Sequence, residues 1–191
     1  MARRTKEEAL QTRQMLLNAA IEQFALRGFS STTLTDIADA AGVTRGAVYW
    51  HFASKSELFN AMWQEQSPLR ALTHAKLIQL GDSNPLGKLR NKFIIALQYI
   101  AENPKQRSLM QILYHKCEFS SEMMSETEIR RKIGFNYDYM RSELQMCVRN
   151  KILPVDTNIE ITLIILHSAF SGIIKNWLMD PQQFDLYQQA P

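Results

Sequence analysis

The sequence predicts an all-α fold: a three-helix N-terminal domain over residues 1–53 and a larger helical bundle over residues 54–191. Three observations carry that reading. Apolar residues recur at three- and four-residue spacing through most of the chain, the period of a helix with one buried side. Paired capping residues, Thr33 with Asp36 and Ser54 with Glu57, mark helix starts. The sequence shows no strand-like alternation, internal repeat or low-complexity segment, and a hydrophobic share of 46% over 191 residues is enough to bury a core.

The first helix is expected from about Lys6 to Arg27, where Leu17, Ala20, Ile21 and Phe24 form one apolar stripe and Gly28 ends it. Phe29 and the Ser-Ser-Thr-Thr run after it form the connection. The second helix starts at Thr33, whose hydroxyl acts with the Asp36 carboxylate to satisfy free N–H groups at the positive helix end. Leu34, Ile37, Ala38 and Ala41 follow at helical spacing, and Gly42 stops them, since glycine turns left-handed without steric cost. Thr44 caps a third helix, Arg45 to Phe52, with Val48 and Phe52 inward. Two short helices joined by so tight a turn form a helix-turn-helix unit.

Beyond Ser54 the helices lengthen. Leu58, Phe59, Met62 and Trp63 begin one that is expected to continue past Gln66, bent at Pro68, to near Gly81, with a loop from Asp82 to Gly87. Leu86 to Glu102 follows, with Phe93, Leu97 and Ile100 on one side, and Pro104 opens the next, with Leu109, Ile112 and Leu113 inward. Glu122 to Asn150 reads as one long helix weakened at Gly134, and Asp156 as the cap of a last helix, Thr157 to Met179.

The segment from Thr33 to Lys55 has the chemistry to bind DNA, with Thr33, Thr44, Arg45, Gly46, Ala47, Tyr49, Trp50, His51 and Lys55 as the candidate contacts. The planar fork of Arg45, at the start of the third helix, can bond two acceptors on a guanine edge. Gly46 and Ala47 add little bulk, so the backbone can approach the groove floor, while Tyr49, Trp50 and His51 occupy the remaining surface. Tyr49, His51 and the hydroxyl of Thr44 suit phosphate oxygens, as does Lys55 in the first turn of the following helix. Arg3, Arg4 and Lys6 form an unopposed basic start within a segment, residues 1–55, that holds seven Lys/Arg against five Asp/Glu.

The run Thr44-Arg-Gly-Ala-Val-Tyr-Trp-His-Phe52 with Lys55, preceded by Thr33-Leu-Thr-Asp-Ile-Ala38 and a Gly42-Val43 turn, closely resembles the DNA-binding segment of the TetR family of one-component repressors. The start of the chain, His115-Lys-Cys-Glu-Phe119, Gly172, Asn176-Trp-Leu178 and Phe184-Asp-Leu186 resemble its AcrR/EnvR-like subgroup, whose members repress multidrug efflux pumps. The resemblance implies a homodimeric repressor that binds a near-palindromic operator and is released when a hydrophobic, often cationic compound binds the C-terminal domain. Carried over from the subgroup, Trp63, Phe93, Leu97, Met110, Tyr114, Tyr137, Met140, Phe170 and Ser171 are the ligand candidates, with Gln111 and Lys175 as polar contributors. The dimer is expected to pair through Ile161, Ile164, Ile165, Leu166 and Ile173. Family members of this type usually continue past an Ala-Pro like Ala190-Pro191 into a further interface helix, so half of that interface is expected to be missing.

Other classes find less support. With two cysteines and no signal peptide, a reducing, cytoplasmic setting is expected, with Cys117 and Cys147 as inert thiols. The most apolar run, Ile159 to Leu178, carries Glu160, His167, Lys175 and Asn176 and reads as a helix buried in protein, so no membrane span is expected. There is no phosphate-cradling glycine loop, no nucleophile setting and no metal-ligand spacing, so neither catalysis, a metal nor a cofactor is expected. His167 reads as a core or pocket residue and Arg130-Arg-Lys132 as a solvated face. The competing reading is a helical ligand-binding or protein-interaction module without sequence-specific DNA binding; within the DNA-binding class, an activator is the alternative.

Overall fold

The computed structural model describes residues 6–67, 69–79, 84–133 and 137–191, and the elements found there are helical. The expected bend at Pro68, helix end near Gly81, weak point at Gly134 and basic residues Arg3 and Arg4 lie outside the described residues. By packing, the chain divides into two compact units, one of Met1–Gln66 with Ser108–Ile129 and one of Ser67–Arg107 with Arg130–Pro191. The boundary at 53/54 read from the sequence separates proposed functions and falls inside the first unit.

The first unit begins with α1 (Lys6–Arg27), α2 (Leu34–Ala40), α3 (Arg45–His51) and α4 (Lys55–Gln64). The α1 stripe is buried as expected, and Gly28 closes the helix at φ 88°. Its Phe24 meets Phe29 (ring centroids 5.3 Å) and Phe59 of α4 (6.1 Å), and Phe59 meets Phe119 (6.3 Å) and Trp63 (6.1 Å). These aromatic pairs form the centre of the unit. α4 stops at Gln64 with Glu65 as its C-cap, so it does not run on towards residue 81. The helix α7 (Pro104–Gln111) passes into a π-helical turn, Ile112–Lys116, which packs on α1. Leu109, Ile112 and Leu113 are buried, as their spacing predicts.

The second unit contains α5 (Leu69–Gln79), α6 (Pro85–Glu102), α9 (Tyr137–Arg149), α10 (Ile159–Met179) and α11 (Leu186–Gln189). Leu89, Met140, Leu144 and Leu163 form a core between α6, α9 and α10, with Phe93, Tyr139 and Leu166 packed on it. The expected single helix from Glu122 to Asn150 is corrected. Its first part, α8 (Glu126–Ile133), starts only where Ser125 and Glu128 close a capping box: the Ser125 N–H donates to the carboxylate (2.8 Å) and the Glu128 N–H to the hydroxyl (3.3 Å). The last long helix starts later as well. Asn158, rather than Asp156, accepts from the Ile161 N–H (3.1 Å), because residues 154–157 form a turn closed by the Thr157 N–H on the Pro154 carbonyl (3.1 Å).

α10 departs from expectation in burial too. Ile161, Ile164, Ile165 and Ile173 are exposed, whereas Leu166 packs on the core of its own chain. One side of the helix is therefore open to solvent, where the sequence reading had it buried in protein. Glu160 at its start accepts from both Arg141 Nε (2.7 Å) and a terminal guanidinium nitrogen (3.1 Å), and that guanidinium holds the carboxyl below the usual carboxylate range.

Candidate nucleic-acid interface

The helix pair is held by short-range hydrogen bonds that its sequence dictates. The Thr33 hydroxyl accepts from the Asp36 N–H (3.1 Å), and the Asp36 carboxylate accepts from the Thr33 N–H (2.7 Å). Thr33, followed by the nearby Arg27 guanidinium (2.9 Å), keeps that carboxyl below its usual range. Gly42 turns the chain at φ 66°, the Val43 N–H donates to the Ala38 carbonyl (3.0 Å), and Thr44 opens α3 by accepting from the Ala47 N–H (3.2 Å). Ile37, Ala38, Val48 and Phe52 are buried, which fixes α3 against α2 and turns its other side outward.

That outer side is Thr44, Arg45, Gly46, Ala47, Tyr49 and Trp50. Arg45 lies over the Tyr49 ring, 5.4 Å from its centroid, and donates to its hydroxyl (3.2 Å). The stack holds the guanidinium extended beside the helix. Tyr49 accepts in this bond, so its own O–H proton can donate to a phosphate; Thr44 likewise keeps its hydroxyl proton for an external acceptor. Trp50 stands out with 71% of its surface exposed.

Three residues assigned to DNA from the sequence are placed differently. The Thr33 hydroxyl donates to Asp36 (2.6 Å) and its N–H is also taken, so it stabilises α2 and has no donor left for a phosphate. The Lys55 ammonium faces inward, donating to the carbonyls of Phe29 (2.7 Å) and Thr32 (2.8 Å) and lying 4.4 Å from the Phe29 ring centroid. Burial lowers its pKa, and these oxygens favour the charged form. Lys55 is therefore a brace for the α1–α2 connection. His51 keeps its Nε2 buried and its ring against Trp50 (4.6 Å), so that nitrogen is not presented to a groove.

Sequence reasoning also missed the support behind the interface. The Phe29 N–H donates to the Lys116 carbonyl at the end of the π-helical turn (2.8 Å), Asn60 of α4 donates to the Glu122 carbonyl (3.0 Å), and the Met124 N–H donates to Asn60 (2.6 Å). Both side chain and backbone thus tie residues 116–124 to the helices that carry α3. A lone Asn in an otherwise apolar helical stripe is the signal that could have pointed to it.

Comparison with known proteins agrees with this geometry. Residues 16–62 match the bacterial regulatory proteins of the tetR family, and residues 84–191 match the MAATS-type transcriptional repressor C-terminal region. The chain belongs to the TetR family. It is 52% identical over 191 residues to the probable acrEF/envCD operon repressor of Escherichia coli (strain K12), covering 100% of this chain and 87% of that protein. It is 40% identical to the HTH-type transcriptional regulator AcrR of Shigella flexneri, covering 100% and 89%. Among solved structures, NalD, the secondary repressor of the MexAB-OprM multidrug efflux pump in Pseudomonas aeruginosa, is similar at 34% identity and TM-score 0.72, covering 96% of this chain and 91% of that one. These relatives place the chain in the AcrR-like subgroup of the family, which consists of DNA-binding repressors for which ligand response and dimer formation are typical.

The effector candidates of a TetR-family reading divide between the two units. Trp63, Met110, Gln111 and Tyr114 belong to the first; Phe93, Leu97, Tyr137, Met140, Phe170, Ser171 and Lys175 belong to the second. In the second, Phe93 meets Phe170 (5.3 Å) and Tyr137 meets His167 (5.4 Å), whereas Met140 is part of the α6–α9–α10 core. Arg130, read from the sequence as a solvated face, is half-buried, donates to Ser171 (3.0 Å) and lies 3.2 Å from His167 Nε2. It joins the candidates for polar contact. In the first unit, Trp63 is fully buried and its Nε1–H has no hydrogen-bond acceptor among the described residues. A groove of about 750 Å³ at the end of α10, lined by Asn176, Met179, Asp180, Gln183, Phe184 and Gln189, contains none of the candidates.

Proposed function

We propose that this protein represses multidrug efflux genes in the cytoplasm. As a homodimer it binds a near-palindromic operator through α3 of each chain, and it leaves the operator when a bulky hydrophobic compound binds its helical C-terminal domain, residues 54–191. The observation that carries the reading is the outer face of α3, where an extended guanidinium, two outward hydroxyls and side chains too small to block the groove floor stand on a helix whose opposite face is fixed in the core. Arg45→Ala is expected to reduce the preference for the native over a scrambled duplex by roughly 10- to 100-fold, the worth of one bidentate base contact at about 1–3 kcal/mol. Fluorescence anisotropy with DNA flanking the gene measures this. An unchanged preference would refute the α3 reading and favour a ligand-binding module without sequence-specific DNA binding.

The exposed isoleucines of α10 support the dimer, because a long apolar helical face left open to water is a surface for a second copy. Ile165→Glu is expected to leave the chain folded and monomeric at micromolar concentration by light scattering, with operator affinity reduced in step. A variant that stays dimeric would exclude this face. The buried, unmatched N–H of Trp63 supports the effector reading, since a compound with a hydrogen-bond acceptor would complete it.

A further inference from the structure

The third helix contains a glycine that its own fold does not require. Gly46 is not among the residues with positive φ, and a Cβ built there would meet only the Thr44 hydroxyl, at 3.9 Å. Inside a helix glycine is less stable than alanine, so neither backbone conformation nor internal packing accounts for it. The gap faces outward. Trp50 lies four residues on and on the same face, and no side-chain atom of it comes within 4 Å of that Cβ position, so the space beside Gly46 stays open at the surface. At about 100° per residue, Trp50 lies roughly 200° around the helix from the buried Val48. It therefore occupies the middle of the outward face, its ring oriented by the near-perpendicular contact with His51 (86°). In a major groove, where the base edges are otherwise polar, the apolar group that such a surface can bury is the thymine 5-methyl.

We propose that Trp50, on the same outward face as the gap at Gly46, selects a thymine in each half-site by packing against its 5-methyl group. This rests on the reading of α3 as the groove helix. The test starts by selecting duplexes that bind the intact protein from a random pool. In the selected duplex each thymine is then replaced, symmetrically in both half-sites, by 2′-deoxyuridine, which removes only the methyl. At one thymine position the wild type should lose about fourfold in affinity per half-site, the worth of one buried methyl group. Trp50→Ala should lose nothing there, while matching the wild type at every other thymine. Gly46→Ala should raise the melting temperature and yet weaken binding, a combination that a purely structural glycine would not produce. If the wild type binds its selected duplex and Trp50→Ala keeps every deoxyuridine sensitivity, the inference is overturned and the groove reading stands. If the wild type enriches no sequence, the groove reading fails and the inference fails with it.

Discussion

Trp63→Ala is expected to lower the stability of the protein by about 3–5 kcal/mol, the usual cost of emptying a fully buried indole site. Trp63 is fully buried and meets Phe59 edge-on (6.1 Å, 70°), and Phe59 in turn meets Phe24, Phe29 and Phe119. The lost volume thus lies next to the aromatic centre of the first unit, where neighbouring rings are too constrained by one another to close it. Trp63→Phe separates packing from the N–H. It keeps one ring in place and removes a buried donor with no acceptor among the described residues, which costs about 1–3 kcal/mol while unmatched. The phenylalanine variant should therefore retain most of the wild-type stability in urea denaturation. If an effector accepts from the indole, the same variant should bind a hydrophobic compound that carries a carbonyl acceptor, such as a coumarin, several-fold more weakly. A Phe variant as unstable as the Ala variant would show that shape alone matters at this position.

What was legible in the sequence had short-range causes. Thr33 with Asp36, Thr44 before Ala47 and Ser54 with Glu57 act over three residues, and all three caps form where their spacing puts them. The stripe of α1 and the αL glycines at 28 and 42 are equally local. Ambiguity entered where several capping residues stand together. In Asp156-Thr157-Asn158 any could begin a helix, and the choice fell to Asn158 because the Thr157 N–H closes a turn back on the Pro154 carbonyl. Ser125 lies hidden in a polar run in the same way, so α8 starts at Glu126, four residues after the expected Glu122. The π-helical turn has no sequence period of its own, yet its last carbonyl holds Phe29.

Side-chain direction was the least legible property. Lys55 and Arg45 are both basic residues in the first turn of a helix, and nothing local says that one turns inward to Phe29 and Thr32 while the other stacks outward on Tyr49. Arg130 was misplaced for the same reason, since its contacts with His167 and Ser171 lie tens of residues away in the chain. The effector candidates depend wholly on such long-range placement, which explains why a list drawn from resemblance includes Met140, a residue that packs between α6, α9 and α10.

Lys55→Met provides the sharpest test of that inward placement. Removing the ammonium leaves the Phe29 and Thr32 carbonyls without their charged donor in a half-buried position, and it removes the cation from the face of Phe29. Hydrogen bonds to a charged group are worth about 1.5–3 kcal/mol, so a loss of about 2–3 kcal/mol is expected in chemical denaturation, with the methionine stem keeping part of the packing. Lys55→Arg should rescue it only in part, because the larger planar guanidinium must displace neighbours to enter the site that the compact ammonium fills between two carbonyls and the Phe29 ring. A phosphate ligand would behave differently. Its loss would leave stability unchanged and reduce the slope of log affinity against log salt by about one per half-site. With Lys55 as a brace, the salt slope of the remaining folded protein should stay at the wild-type value while the melting transition moves. DNA binding weakens only because a loosened α1–α2 connection no longer holds α2, and with it α3, in one position.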